Sequence, residues 1–264
     1  MIIGGGLFGS VIAKALLALK YDVCVIDGGH EDAGSKPAAC LMKPGWFASL
    51  GRDIYDPALK TLDALYGLQE VQFKLGPAMV KVFWIPPRKI LQAIPFVQGR
   101  VSRYTRQGKY WQITLMGGVV LQASLLIVAA GIWTELLVPE VRQKGMAGIA
   151  FLWPKSVVSP FIKPWAPFKQ IVAFNRDDGA WISDGSAILL KNWNDAREQA
   201  CFSRCVATQK LPADPTRLFG LRPYHVAKPC YLEEVRPKLW VATGGAKNGT
   251  LAAGWCASQL AKAL

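Results

Sequence analysis

Three glycines near the start, Gly4, Gly6 and Gly9, constrain this chain more than any other feature. They follow the apolar pair Ile2-Ile3 and precede a helix expected over Ser10 to Leu19. A second apolar run, Val23-Cys24-Val25-Ile26, ends in Asp27. Strand, glycine turn, helix and second strand together predict a βαβ unit. In such a unit Gly4 permits the tight turn, Gly6 lets a pyrophosphate approach the backbone, and Gly9 lets helix pack on strand. The helix N-terminus offers free N–H groups and a partial positive charge to phosphates, and Leu7 and Phe8, in the turn before it, are expected beside the cofactor. Asp27, followed by Gly28, stands where an acid receives ribose hydroxyls, and it disfavours a 2′-phosphate. The expectation is a dinucleotide other than NADP.

The rest of the chain alternates the two periodicities. Residues 50–70 read as a helix with Leu59, Leu62, Leu65 and Leu68 at threefold spacing, and about 71–122 as short strands. Leu125 to Ala130 suits a central parallel strand. Residues 145–195 read as hairpins, with Asp177-Asp178-Gly179 as one turn. Leu239 to Thr243 is a last buried strand before a glycine-rich turn and a final helix from about Thr250. No repeat or long linker interrupts this order.

Composition closes off several classes. Lys14, Lys20 and Asp22 interrupt the one apolar stretch near the start, so no membrane span is expected. Met1-Ile2-Ile3-Gly4 lacks the basic opening of a secretory signal. Six scattered cysteines do not form a disulfide framework and fit reduced thiols in a cytoplasm. Cys201 and Cys205 can share a helix face, but neither histidine lies near them in sequence, so no metal is expected. The balance of 31 Lys and Arg against 18 Asp and Glu leaves a net charge of +13. A field of that sign attracts polyanions. A generic basic surface accounts for it equally well.

Several blocks resemble the D-amino-acid oxidase and glycine oxidase family of flavoproteins. They are the N-terminal unit, Gly34-Ser35-Lys36-Pro37-Ala38-Ala39-Cys40-Leu41-Met42, and Val128-Ala129-Ala130-Gly131-Ile132-Trp133. Gly220-Leu221-Arg222-Pro223 and the run from Leu239 to Gly249 complete the set, in the family's order. The resemblance implies FAD and an α/β fold: a discontinuous Rossmann-like FAD-binding domain with an interleaved, reduced antiparallel-sheet substrate domain. The expected segments are 1–45, 86–144 and 220–264 for the former, and 46–85 and 145–219 for the latter.

By the same resemblance, Ser35, Ala38, Ala39, Cys40 and Leu41 line pyrophosphate and flavin. Cys40 replaces a usual glycine, and with Lys43 close behind, the isoalloxazine wall is expected to differ. Ala129, Ala130, Gly131 and Trp133 match the turn beside the adenosine half, and Val101 matches a backbone contact to adenine. Gly244, Gly245, Lys247, Asn248 and Gly249 match the start of the last helix, beside the flavin. Arg222 matches the arginine that holds the substrate carboxylate, a task suited to a guanidinium fork. Lys247 is a second basic residue near the substrate, and Tyr224 and His225 follow Arg222, with Tyr224 expected to face the pocket.

The resemblance implies oxidation of the Cα–N bond of a glycine-like amine, with oxygen as acceptor. Relatives act on glycine-type groups carried by tRNA uridine, and viral ones on modified thymidine in DNA; for a viral chain the cytoplasm is the host's. The chain is short for the family, with the missing length in the substrate domain. That domain interleaves aromatics and lysines: Trp153, Lys155, Phe161, Lys163, Trp165, Phe168 and Lys169. A second group comprises Arg100, Arg103, Arg106 and Lys109 with Tyr104 and Tyr110. Such residues can stack on bases and hold phosphates, or simply form a sheet with charged outer faces. A glycine adduct on DNA or RNA, a free small amino acid, and a non-catalytic FAD-bearing nucleic-acid module all remain open.

Overall fold

The apolar pair after Met1 forms β1 (Ile2–Ile3), and the glycine turn leads into α1 (Leu7–Ala18) and β2 (Val25–Asp27). The computed structural model describes every residue except 44–49, 93, 167–168, 209–210 and 213. Helix α1 starts at Leu7, ahead of the expected Ser10. The reason is tertiary: Ser35 Oγ, from a distant loop, accepts the Leu7 N–H at 2.9 Å. Next come β3 (Leu41–Met42), α2 (Arg52–Tyr66), β4 (Gln69–Leu75), β5 (Ala78–Trp84), α3 (Pro87–Leu91) and β6 (Val97–Gln98). A meander of β7 (Val101–Gln107), β8 (Tyr110–Leu115) and β9 (Val120–Ala123) precedes β10 (Leu126–Val128) and α4 (Thr134–Leu137). Then follow β11 (Gln143–Pro154), β12 (Phe161–Ala166), β13 (Lys169–Arg176), β14 (Gly179–Ser183), β15 (Ile188–Leu189) and α5 (Asp195–Val206). The chain closes with β16 (Thr216–His225), β17 (Cys230–Arg236), β18 (Leu239–Gly244) and α6 (Gly249–Ala263).

Six strands form one sheet in the order β17-β18-β10-β1-β2-β6, all parallel except the edge strand β17. Leu126, Ile127 and Val128 of β10 are fully buried between β18 and β1, as a continuous apolar run requires when both faces are covered. Side chains of α1, α2 and α6 share one core cluster with Ile2 and Ile127, on one face of the sheet. The meander covers the other, where Trp111, Ile113 and Leu115 pack with Ile3, Val128 and Val241.

The second sheet has nine strands in the order β15-β11-β14-β13-β12-β4-β5-β3, with β16 also paired to β11. It is antiparallel except where β12 meets β4. A mixed α/β fold with a parallel and an antiparallel sheet is therefore what the chain adopts.

The sheets cross the segment limits read from sequence in three places. Leu41 and Met42 pair with β5 in the antiparallel sheet, and β16 follows β11 from Gln143↔His225 to Leu152↔Thr216. Helix α2 packs on α6 in the core beneath the parallel sheet: a Cβ at Gly254 would lie 2.7 Å from Leu62 Cγ and 2.8 Å from the Ala58 carbonyl. Cys201 and Cys205 lie on the buried side of α5, packed with Ile149 and Ile182. No helix among the described residues is long and apolar enough to cross a membrane.

Candidate functional site

A cavity of about 870 Å³ is lined by residues of both sheets. Gly4, Gly6, Leu7, Phe8, Asp27, Gly28, Ser35, Ala38, Ala39, Cys40, Leu41 and Val101 all line it. So do Ala129, Ala130, Gly131, Trp133, Gly244, Asn248 and Gly249, together with Arg222 and Lys247. Residues scattered over nearly the whole chain thus share one wall.

At one end the glycine turn does what its spacing predicts. Gly4, at φ +108°, leaves no room for a side chain: a Cβ would sit 2.4 Å from the Ala129 carbonyl oxygen. A Cβ on Gly6 would come within 2.8 Å of Ser35 Oγ. Gly9 lies outside the cavity, pressed on Gly4, where a Cβ would fall 1.7 Å from its carbonyl oxygen. Asp27 accepts the Gly5 N–H at 2.5 Å through Oδ2 and the Gly29 N–H at 2.7 Å through Oδ1, tying both loops to the end of β2. The same end carries a feature with no sequence motif. His30 stacks on Trp133 with centroids 3.9 Å apart and planes 14° from parallel, and both line the cavity. Partial burial, then Arg100, lower the His30 pKa against the pull of Asp27 and Asp32.

The middle of the cavity is a loop held from behind. Arg176 of β13 donates to the carbonyls of Lys36 and Ala38 at 3.4 and 3.3 Å. Trp181 Nε1 donates to Pro37 O at 3.2 Å and Trp84 Nε1 to Ala39 O at 3.0 Å. Four consecutive carbonyls are thereby held by side chains of the antiparallel sheet. Arg176 is itself fixed by a bidentate pair with Asp178 at 3.0 and 2.9 Å. None of these three side chains was legible from sequence, because nothing local marks a donor that reaches across to another segment. Cys40 follows, in the left-handed region at φ +53°, and burial raises its thiol pKa to about 11. Residues 44–49, just beyond Lys43, lie outside the described residues.

At the far end stand the charges. Strand β16 brings Arg222 opposite Met146 of β11, and its guanidinium lies over Gly148, where a Cβ would be 2.6–2.8 Å from the guanidinium atoms. Gly148 was missed in the sequence, although it belongs to a run otherwise rich in apolar residues. Arg222 makes no hydrogen bond or ion pair among the described residues. Burial lowers its pKa, opposed by Asp184, but a guanidinium stays charged. Lys247 sits in the turn before α6; burial, then Arg222 and Lys169, lower its pKa. Asp184, fully buried, is already engaged: Arg204 lies 2.6 Å away and Ser186 bonds both oxygens at 2.8 and 2.9 Å. Burial alone would raise the Asp184 carboxyl, but these bonds leave it lowered.

Two expectations are corrected by position. Tyr224 does not line the cavity; two residues beyond Arg222, opposite Lys144, it has run past the cavity edge and is 38% exposed. Gly245 also stands behind the wall, its left-handed φ of +80° placing it against Ala252 and Gly249 of α6. Among the interleaved aromatics, Trp153 is 1% exposed, with its Nε1 donating to Pro212 O, so it meets core rather than a ligand. Tyr104 is likewise tied down, donating to Leu137 O at 2.7 Å. Tyr110 is exposed, with Lys109 over its ring; Phe168 lies outside the described residues.

No family model matches the chain, and no curated protein matches it in sequence. Solved structures do. Glycine oxidase from Bacillus cereus superposes with a TM-score of 0.69 at 15% identity, over 99% of this chain and 93% of that one. The chain has the fold of glycine oxidase. Iminodiacetate oxidase from Chelativorans sp. gives 0.65 at 16% identity, over 98% and 93%. L-Proline dehydrogenase from P. horikoshii gives 0.66 at 12% identity, over 99% and 91%. The glycine-oxidase fold accounts for how distant segments come to share one cavity. The glycine cradle that a Cβ would fill, and the single cavity running from Asp27 to Arg222, fit FAD.

Proposed function

We propose that this protein is an FAD-dependent oxidoreductase that oxidises the Cα–N bond of a glycine-like amine, with oxygen as acceptor. The observation that carries the reading is Arg222: a partly buried guanidinium over Gly148 with no ion-pair partner among the described residues, in the same cavity as the glycine cradle. A charge drawn partly out of water without a partner is costly, which favours an opposite charge on the ligand it meets. The names of the structural neighbours, glycine oxidase and iminodiacetate oxidase, agree with that chemistry.

In this reading Gly4, Gly6 and the start of α1 hold the pyrophosphate, and Asp27 and His30 bound the ribose. FAD, when bound, supplies the two-electron acceptor for the Cα–N bond. The chain's own part is to orient. Arg222 holds the substrate carboxylate in a bidentate grip, and Lys247 adds positive charge beside it. The walls, Ala38, Ala39 and Leu41 on one side and Trp181 and Val172 on another, exclude water. His225 does not line the cavity, and His30 lines it among the residues near Asp27, which suits a reaction that needs placement more than a general base.

We extend the proposal to the substrate's carrier: the glycine unit sits on a base of DNA or RNA. Two-electron oxidation turns its Cα–N bond into an imine, and hydrolysis of that imine by water after oxidation releases glyoxylate and leaves an aminomethyl base, oxygen taking the electrons as hydrogen peroxide. The support is the net charge of +13 and the exposed Lys155, Lys163 and Lys169 of the segment that carries β11 to β13. Cytoplasmic residence belongs to the same proposal and rests on six unpaired cysteines. A free small amino acid is the second reading, favoured by the burial of Trp153 and the tethering of Tyr104, which withdraws two aromatics from base stacking.

Anaerobic flavin bleaching with glycine, sarcosine and glycine-bearing oligonucleotides tests both. Arg222→Ala should slow reduction more than tenfold, since loss of a buried charge-assisted contact costs about 2–5 kcal/mol. Arg222→Lys should rescue little of it. Full activity in Arg222→Ala would place the carboxylate elsewhere.

A further inference from the structure

The substrate end of the cavity holds more positive charge than one carboxylate can neutralise. Arg222 and Lys247 both line it, and Gln170, next to Lys169, lines it as well. None of the three cations has a carboxylate within ion-pair reach among the described residues. The one acid near them, Asp184, is consumed by Arg204 at 2.6 Å, and that pair is neutral as a unit. Lys169, whose charge reaches Lys247, is held by aromatic contact, its Nζ 5.1 Å from the centre of the Trp165 ring. Trp165 is itself anchored, donating through Nε1 to the Asp184 carbonyl at 3.0 Å.

A single carboxylate on Arg222 leaves Lys247 uncompensated with Lys169 close enough to lower its pKa, and like charges gathered at one site are unfavourable unless an anion joins them. We propose that the substrate carries a second oxyanion, seated between Lys247 and Lys169 while its carboxylate sits on Arg222. This rests on the reading of Arg222 given above and narrows the substrate to a glycine-type amine with two anionic groups. The second is either another carboxylate or a phosphate of the nucleotide that bears the amine.

The test is a binding measurement on the FAD-loaded protein. Flavin absorbance is followed during titration with glycolate, malonate and 2-phosphoglycolate, which share one carboxylate and differ in the second group. Malonate or 2-phosphoglycolate should bind at least about tenfold more tightly than glycolate at low ionic strength, given the strength of close charge pairs. Lys169→Gln should bring that ratio close to one. Preference for malonate identifies a small diacid, and preference for 2-phosphoglycolate identifies a phosphate. Equal affinity for all three ligands, or a preference that survives Lys169→Gln, overturns the second site. The readout needs no turnover, so an absence of amine oxidation defeats the proposed activity and leaves this result standing.

Discussion

Gly148 is the residue on which the geometry of the proposed carboxylate site turns. A methyl group there would meet the Arg222 guanidinium at 2.6–2.8 Å, and the guanidinium, being the end of a flexible side chain, would move. Gly148→Ala should therefore cost little stability while raising KM for a carboxylate-bearing amine more than about tenfold, because the fork loses its alignment. Thermal melting and steady-state kinetics measured side by side would separate the two effects, and an unchanged KM would show that Arg222 does not set affinity. Lys247 gives a second, pH-dependent signature. Its ammonium pKa is lowered below the ordinary lysine value by burial and by Arg222 and Lys169, with Asp184 opposing. A lowered lysine pKa means the charge is lost as pH rises through that lowered value, before the usual lysine range. Glycolate affinity should accordingly weaken with rising pH from below that range, and Lys247→Met should flatten the profile. A profile identical in the variant would remove Lys247 from the site.

At the level of elements, the βαβ unit and the loop beside it are built as one piece. Ser35 bonds the first N–H of α1, Asp27 bonds the turn that precedes it, and the antiparallel sheet holds the carbonyls of residues 36–39. Gly6→Val should abolish FAD retention, since the added atoms would collide with Ser35 Oγ and fill the approach to the backbone. Released FAD, measured after denaturation, checks this, and normal retention would place the pyrophosphate elsewhere. The elements best read from sequence, β1, α1, β2, β10 and α6, are those whose apolar runs are bounded by glycine or charge. Those read least well, β16 and the start of α1, owe their limits to partners far along the chain: β11 for one and Ser35 for the other.

Across the whole molecule the excess charge makes its own prediction. If exposed lysines hold a polynucleotide, binding of an unmodified oligonucleotide should weaken steeply with salt, with a log–log slope of about −3 or steeper as counterions are released. Charge reversal at Lys155, Lys163 and Lys169 together should flatten that slope without altering FAD content. An oligonucleotide that fails to bind at low ionic strength would leave the free amino acid as substrate.

The sequence alone determined the class of the molecule: spaced glycines, an acid after the second strand and alternating runs are local patterns, and local patterns record backbone conformation directly. It also named about half of the residues that line the cavity, through blocks that resemble a known family, but not His30, Gln170, Val172, Trp181 or Ser183. What only the tertiary structure decided was which side chains face one another. Arg222 rests over Gly148 because β16 and β11 pair in one register, and a different register would turn it to another neighbour. Tyr224 leaves the cavity in that same register, His30 after β2 finds Trp133 after β10, and Trp153 is taken into the core. These are contacts between segments separated by up to a hundred residues or more, and no spacing along the chain encodes them.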